Sequence, residues 1–319
     1  MKKRATKSKR AGGIVALVAG AAAAGVGAGL AAERLLIGRS RLKVDPYARE
    51  PYGKVKGDRS FSVNTKDGAV LHAEEVGLKG AKRGAIFLHG YCLDRTIWHH
   101  QMLDLGGSEE RRYIFYDARD HGRSVGGSAQ MRVTTLASDL VDVLDESGLE
   151  EAVLVGHSMG GMTVLEFCRE FPHELRKRIK GVVLANTTHT DAIKTAIAGE
   201  LVGPIERRLG KIIGSLFDDQ RSVRALRLRG DDLSYLIVKL FGFGSGSSPA
   251  QVEFVRRLNA VFPSPPLIEM LKGMREFDMK DALEVIDIPT LVIAGGNDRL
   301  TTVRASRHIA EKIPGARLH

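Results

Sequence analysis

Gly156-His157-Ser158-Met159-Gly160-Gly161 sets a serine between glycines two positions to either side, a spacing that can turn a hydroxyl into a nucleophile. The apolar run Glu151-Ala152-Val153-Leu154-Val155 precedes it and Met162 to Cys168 follow, so Ser158 is predicted at a turn from a buried strand into a helix. The glycines let the backbone bend sharply, and a strained Ser158 would lift its hydroxyl out at the strand's C-terminal end. The helix starting at Met159 would then offer unpaired amides and its positive dipole end to a developing oxyanion.

Three further segments carry groups that such a serine needs. Leu88-His89-Gly90-Tyr91-Cys92 follows an apolar strand. Tyr116-Asp117-Ala118-Arg119-Asp120-His121-Gly122-Arg123-Ser124 follows the next one, and Ala294-Gly295-Gly296-Asn297-Asp298-Arg299 follows the last. Together with the serine turn these make the chain, from about Ser60 onward, resemble the α/β-hydrolase superfamily. The resemblance implies Ser158 as nucleophile, the backbone N–H groups of Tyr91 and Met159 as oxyanion hole, and Asp298 as the carboxylate that orients a histidine. Asp191 is a weaker substitute for that acid. His89 is expected to brace its turn, Trp98 to pack, and the charges of the 117–124 segment to support the site, with Asp120 standing where a glycine is usual. No metal and no organic cofactor is implied.

The order serine, acid, histidine leaves little chain for the base, since His319 comes only 21 residues after Asp298. Ile313-Pro314-Gly315-Ala316-Arg317-Leu318-His319 reads as a helix end and the start of one more strand. With five or six further strand residues expected beyond it, His319 would lie roughly 15–20 Å from the site. None of His89, His99, His100, His121, His157, His189 or His308 occupies the family's base position. A C-terminally shortened form of a competent hydrolase is therefore expected, with a base-less relative as the alternative.

The implied reaction is cleavage of an ester-like bond (carboxylic ester, lipid or thioester) through an acyl-serine intermediate. Serine at 158 argues against the dehalogenase and epoxide-hydrolase branches, whose nucleophile is a carboxylate. Esterase or lipase action, cofactor-free haloperoxidase-like perhydrolysis and carbon–carbon bond hydrolysis stay open. The rival from another class is a catalytically impaired binding or scaffold protein of the same fold.

The elements that must position these groups follow from hydrophobic pattern. Short apolar strands are predicted at 84–88, 113–116, 152–155, 181–184 and 290–293, with helical periods such as 134–147 and 159–171 between most of them. That alternation means an α/β class with a mostly parallel sheet and helices on both faces. Alternating residues at 60–64 and 70–74 around Lys66-Asp67-Gly68 predict an antiparallel hairpin at its start. Between about 187 and 278 the alternation stops, and helix-like stretches at 192–202 and 205–217 suggest a helical cap inserted in a hydrolase domain of 59–319. A cap helix is expected to begin at Ser248-Pro249-Ala250-Gln251, where Ser248 and Gln251 can close a capping box. Pro46, Pro51 and the lack of an apolar period make 38–58 a linker.

Ahead of the linker, Ala11 to Ala32 contains 22 consecutive uncharged residues behind a tail at 1–10 with six basic residues and no acid. Residues 11–37 are read as a transmembrane anchor, with a cleaved signal segment as the alternative. More basic residues before than after it place the hydrolase domain outside, membrane-anchored or, after cleavage, secreted. Of the net charge of +10, the tail supplies +6, so the remaining 309 residues carry only +4. No nucleic-acid partner is expected; the implied partners are a small-molecule or lipid ester and the membrane. Cys92 and Cys168 are too few for a disulfide framework and lack metal-ligand spacing.

Overall fold

The computed structural model describes residues 44–191, 235, 238–239, 242–244, 246–262 and 264–319. β1 (Arg59–Asn64) and β2 (Val70–Gly77) form the expected hairpin, with Ser62 opposite His72. β2 also runs antiparallel to β4 (Arg112–Tyr116). From there on β3 (Arg83–Leu88), β5 (Glu151–His157), β6 (Ile179–Ala185), β7 (Thr290–Ile293) and β8 (Arg317–Leu318) pair in parallel, giving the order β1-β2-β4-β3-β5-β6-β7-β8.

Parallel strands need crossovers, and helices supply them: α1 (His99–Leu105), α2 (Val133–Ser147), α3 (Met159–Glu170), α4 (Pro172–Arg178) and α7 (Val303–Lys312). Successive strand residues point to opposite faces, and the core divides accordingly. Ile86, Leu88, Ile114 and Leu154 join Leu140, Leu144, Val164 and Ile309 of α2, α3 and α7 in one layer. Ala85, Phe87 and Phe115 join Trp98 and Met102 of the α1 side in the other. Helices thus cover both faces, because each face carries its own apolar set.

The described part of the predicted cap contains α5 (Pro249–Val261) and α6 (Ser264–Glu276). Ser248 and Gln251 close a capping box with Pro249 at the first helical position. The predicted helices at 192–202 and 205–217 lie outside the described residues. So do the basic tail and the 11–37 segment; among the described residues no helix is long and apolar enough to cross a membrane.

Residues 44–58 do more than connect. The Ala250 amide donates to Asp45 Oδ2 at 2.8 Å, and the buried Tyr52 ring stacks on Phe254 at 5.3 Å. The segment is laid along α5, roughly two hundred residues away in sequence.

One distance expectation needs correction. Arg317 pairs with Leu291 and Leu318 with Val292, while His319 donates to the Val292 carbonyl at 2.8 Å and accepts from the Ala294 amide at 2.9 Å. His319 therefore already stands level with the C-terminal end of β7, and five or six more strand residues are not required to reach the site's height. What separates it from Ser158 is lateral: β8 is three strands from β5, roughly 14 Å at about 4.8 Å per strand.

Candidate active site

Ser158 stands between β5 and α3, which it caps, with φ 53° and ψ −117°, a conformation rarely adopted by a non-glycine residue. It is tolerated because the surroundings hold it. The Ser158 amide donates to the Ala185 carbonyl at 3.1 Å, and its own carbonyl accepts from the Met162 amide and from Thr187 Oγ1, at 3.1 and 2.7 Å. The glycines are required for contact: a Cβ on Gly156 would lie 2.5 Å from the Gly160 carbonyl oxygen, and one on Gly161 would lie 2.6 Å from the Thr187 side chain. Met159 is buried at the first position of α3, where an amide has no helical acceptor.

The facing loop follows β3, a neighbour of β5, so it runs beside the serine turn. His89 is buried and saturated: the Ala118 amide donates to Nε2 at 2.9 Å, which fixes Nδ1–H as donor to the Gly90 carbonyl at 2.8 Å. The ring braces the loop, as its sequence position suggested. Tyr91 sits partly buried, with its ring edge-on to Phe262 at 6.1 Å, just beyond the end of α5. Phe262 also lies 4.3 Å from the His121 ring. A cavity of about 380 Å³ opens here between the 92–94 turn, the 120–125 segment and Leu258, Val261 and Phe262.

Asp298 lies on the loop after β7, two strands from the serine. Its Oδ1 accepts from the Leu300 and Thr301 amides at 2.9 and 2.8 Å, and its Oδ2 accepts from Thr301 Oγ1 at 2.7 Å. Among the described residues no imidazole is bonded to it. The intervening β6 leads into Asn186, itself at φ 44°, whose Oδ1 accepts from the Gly295 amide at 2.7 Å. Asn186 thereby holds the acid's loop while Thr187 holds the serine. Sequence reading missed both; an Asn directly after a strand, a residue tolerant of the left-handed region, was the available signal.

The family description of the alpha/beta hydrolase fold matches residues 86–319. The chain belongs to the α/β-hydrolase family. It is 28% identical over 256 residues to a provisionally named carbamate hydrolase of Caulobacter sp. (strain K31), a match spanning 80% of this chain and 87% of that protein. A non-heme haloperoxidase of Rhodococcus erythropolis is 27% identical, over 72% of this chain and 80% of its own length. An esterase structure from Exiguobacterium antarcticum shares the fold at TM-score 0.65 and 21% identity, covering 81% of this chain and 89% of that one.

In this α/β-hydrolase the 117–124 segment is a scaffold of ion pairs. Asp117, fully buried, accepts from the Arg95 amide and guanidinium and from the Arg123 amide, at 2.8, 3.0 and 2.9 Å. Burial pushes its carboxyl upward, while Arg95 pulls the other way. Arg95 also pairs with buried Glu74. Asp120 takes the left-handed conformation at φ 58° that a glycine would adopt, and its Oδ1 accepts from the Gly126 amide at 3.0 Å. The replaced glycine thus costs only a modest strain. His157 points into the α1 side beside Trp98, with ring centroids 6.4 Å apart. Burial holds its pKa down to about 4, against the pull of the Asp298 carboxylate. It is a neutral ring, and its buried Nδ1 has no hydrogen-bond partner among the described residues.

Proposed function

We propose that this α/β-hydrolase is a serine hydrolase that cleaves an ester-like bond through an acyl-serine intermediate. The observation that carries the reading is the backbone of Ser158, held at φ 53° between β5 and the amide end of α3. In this reading its hydroxyl attacks the carbonyl, the Tyr91 and Met159 amides receive the oxyanion, and Asp298 orients a histidine base. The carboxylate keeps acceptor capacity beyond its three bonds, as an orienting acid must. The cavity beside Phe262 would take one limb of the substrate. Residues 11–37 would anchor the protein in a membrane, or serve as a cleaved signal, with the domain extracytoplasmic.

A fluorophosphonate probe tests the reading. Labelling at Ser158 that vanishes in Ser158→Ala supports it; a full-length protein that never labels favours a binding or scaffold role. Cofactor-free perhydrolysis is the second reading, supported by the likeness to the Rhodococcus haloperoxidase. Peroxide-dependent halide oxidation in acetate buffer that survives metal chelators and is lost in Ser158→Ala would favour it.

A further inference from the structure

We propose that Glu50, His99 and His100 form a binding site for a divalent transition-metal ion of the zinc class, which fastens the segment before β1 to the sheet domain. The inference stands apart from the reading of Ser158. One ligand atom from each of the three residues lies within 4.8 Å of the other two. His99 Nε2 is 2.6 Å from Glu50 Oε1, and the two imidazoles, neighbours at the start of α1, stand at 86° with centroids 5.0 Å apart.

The donor set selects the ion class. Two imidazole nitrogens and one carboxylate oxygen suit zinc and its borderline neighbours, whereas magnesium and calcium take oxygen-rich sites. Zinc bonds of about 2.0–2.1 Å put tetrahedral donors roughly 3.3–3.5 Å apart. The Glu50–His99 pair, at 2.6 Å, must therefore open, while separations of up to 4.8 Å must close. His100 is exposed and Glu50 only partly buried, so these are the parts that would move, His100 against its Tyr52 contact, while His99 is fixed in the interior against Tyr52 at 4.8 Å. The exposed edge gives an ion an entry path and leaves its fourth position to water. Tyr52 OH, 3.2 Å from His100 Nε2, is placed to orient that ring.

The simpler arrangement is a hydrogen-bonded Glu50–His99 pair beside a His100 held by Tyr52 OH. It accounts for both contacts without bringing His100 to Glu50, and the two arrangements predict different behaviour. Metal would replace the proton shared by Glu50 and His99 and tie the 44–58 segment down. That segment also meets α5, through Asp45 at the Ala250 amide and through Tyr52 on Phe254. Occupancy of the site would therefore be felt at the described end of the cap.

Calorimetric titration of the untagged, chelator-stripped full chain with zinc chloride tests this, with magnesium chloride as control. The expected result is one zinc per chain with a Kd of about 10 µM or tighter, and no magnesium binding. Glu50→Gln and His100→Ala should each weaken zinc at least about tenfold, while His189→Ala, in the His189–His308 ring pair, should not. Tryptic cleavage after Arg49 and Lys54 should slow with zinc in the wild type and not in His100→Ala. His100 is exposed, so that variant is expected to fold, which circular dichroism verifies. Absence of zinc binding would overturn the proposal. So would binding unchanged in either ligand variant, or binding lost in His189→Ala.

Discussion

Thr187 Oγ1 donates a 2.7 Å hydrogen bond to the carbonyl oxygen of Ser158. A serine with positive φ turns its carbonyl away from the strand ladder, and the threonine satisfies it from the end of the neighbouring strand. Thr187→Val keeps the shape that packs on Gly161 and removes only the donor. It is expected to cost about 1–2 kcal/mol in denaturant unfolding, as a partly buried acceptor loses one of its two partners. Fluorophosphonate labelling should slow by about tenfold, as expected where the serine is mispositioned. Unchanged labelling would mean that α3 alone holds the turn.

The close approach of α3 to β5 gives a sharper contrast among glycines. A Cβ on Gly156 would lie 2.5 Å from the Gly160 carbonyl oxygen, and backbone cannot swing aside as a side chain does. Gly156→Ala is expected to lose about 3–5 kcal/mol, in the range of severe core overpacking. Gly296→Ala, where nothing lies within 4 Å, should change stability by less than about 0.5 kcal/mol. Equal unfolding midpoints for the two variants would contradict the contact argument.

The sheet and the serine turn were legible because both rest on local pattern. An apolar run such as 152–155 has few ways to be buried, and Gly-x-Ser-x-Gly after it leaves the backbone one inexpensive geometry. Asp120 shows how such a pattern tolerates exceptions, its side chain supplying the Gly126 contact that offsets the left-handed φ. The Asn186 and Thr187 clamps were not legible. Short polar residues in a loop carry no period, and their partners, Gly295 and Ser158, are set by which strands end side by side. The docking of 44–58 was hidden for the same reason. Tyr52 and Phe254 meet only after the whole sheet has formed, and a stretch with two prolines and no apolar period otherwise reads as a connector. The height of His319 likewise came from register with β7, which no residue count supplies.

Arg119 carries a heavier electrostatic load. It is buried, with Nε donating to Asp139 Oδ2 at 2.7 Å and Nη1 to Asp67 Oδ2 at 2.8 Å. Arg119→Met would strand the equally buried Asp139 without a counter-charge, at an expected cost of about 3–5 kcal/mol. Most of that penalty belongs to the orphaned carboxylate rather than to the lost pair. Adding Asp139→Asn should therefore recover part of the loss. A double variant no more stable than Arg119→Met would show that the stranded carboxylate carries no penalty.

The final prediction concerns pH and His157. Burial holds this imidazole at a pKa of about 4, against an ordinary value of 6.5. Between those values the unfolded chain takes up a proton that the folded chain refuses. Stability from this group is thus fully present above pH 6.5 and is lost as pH falls toward 4, at up to ~1.4 kcal/mol per pH unit. His189, also held near 4, and His121 act in the same direction. Asp117 and Asp139, whose carboxyls burial pushes up, act in the opposite one. The total slope is a balance, so the informative quantity is a difference between variants. His157→Asn removes one titrating ring and leaves the others in place. Whatever it costs at pH 7, its unfolding free energy should fall less steeply than that of the wild type between pH 6.5 and 4.5 in denaturant titrations. Parallel curves would mean that the ring is protonated inside the fold, with the Asp298 charge close enough to outweigh its burial.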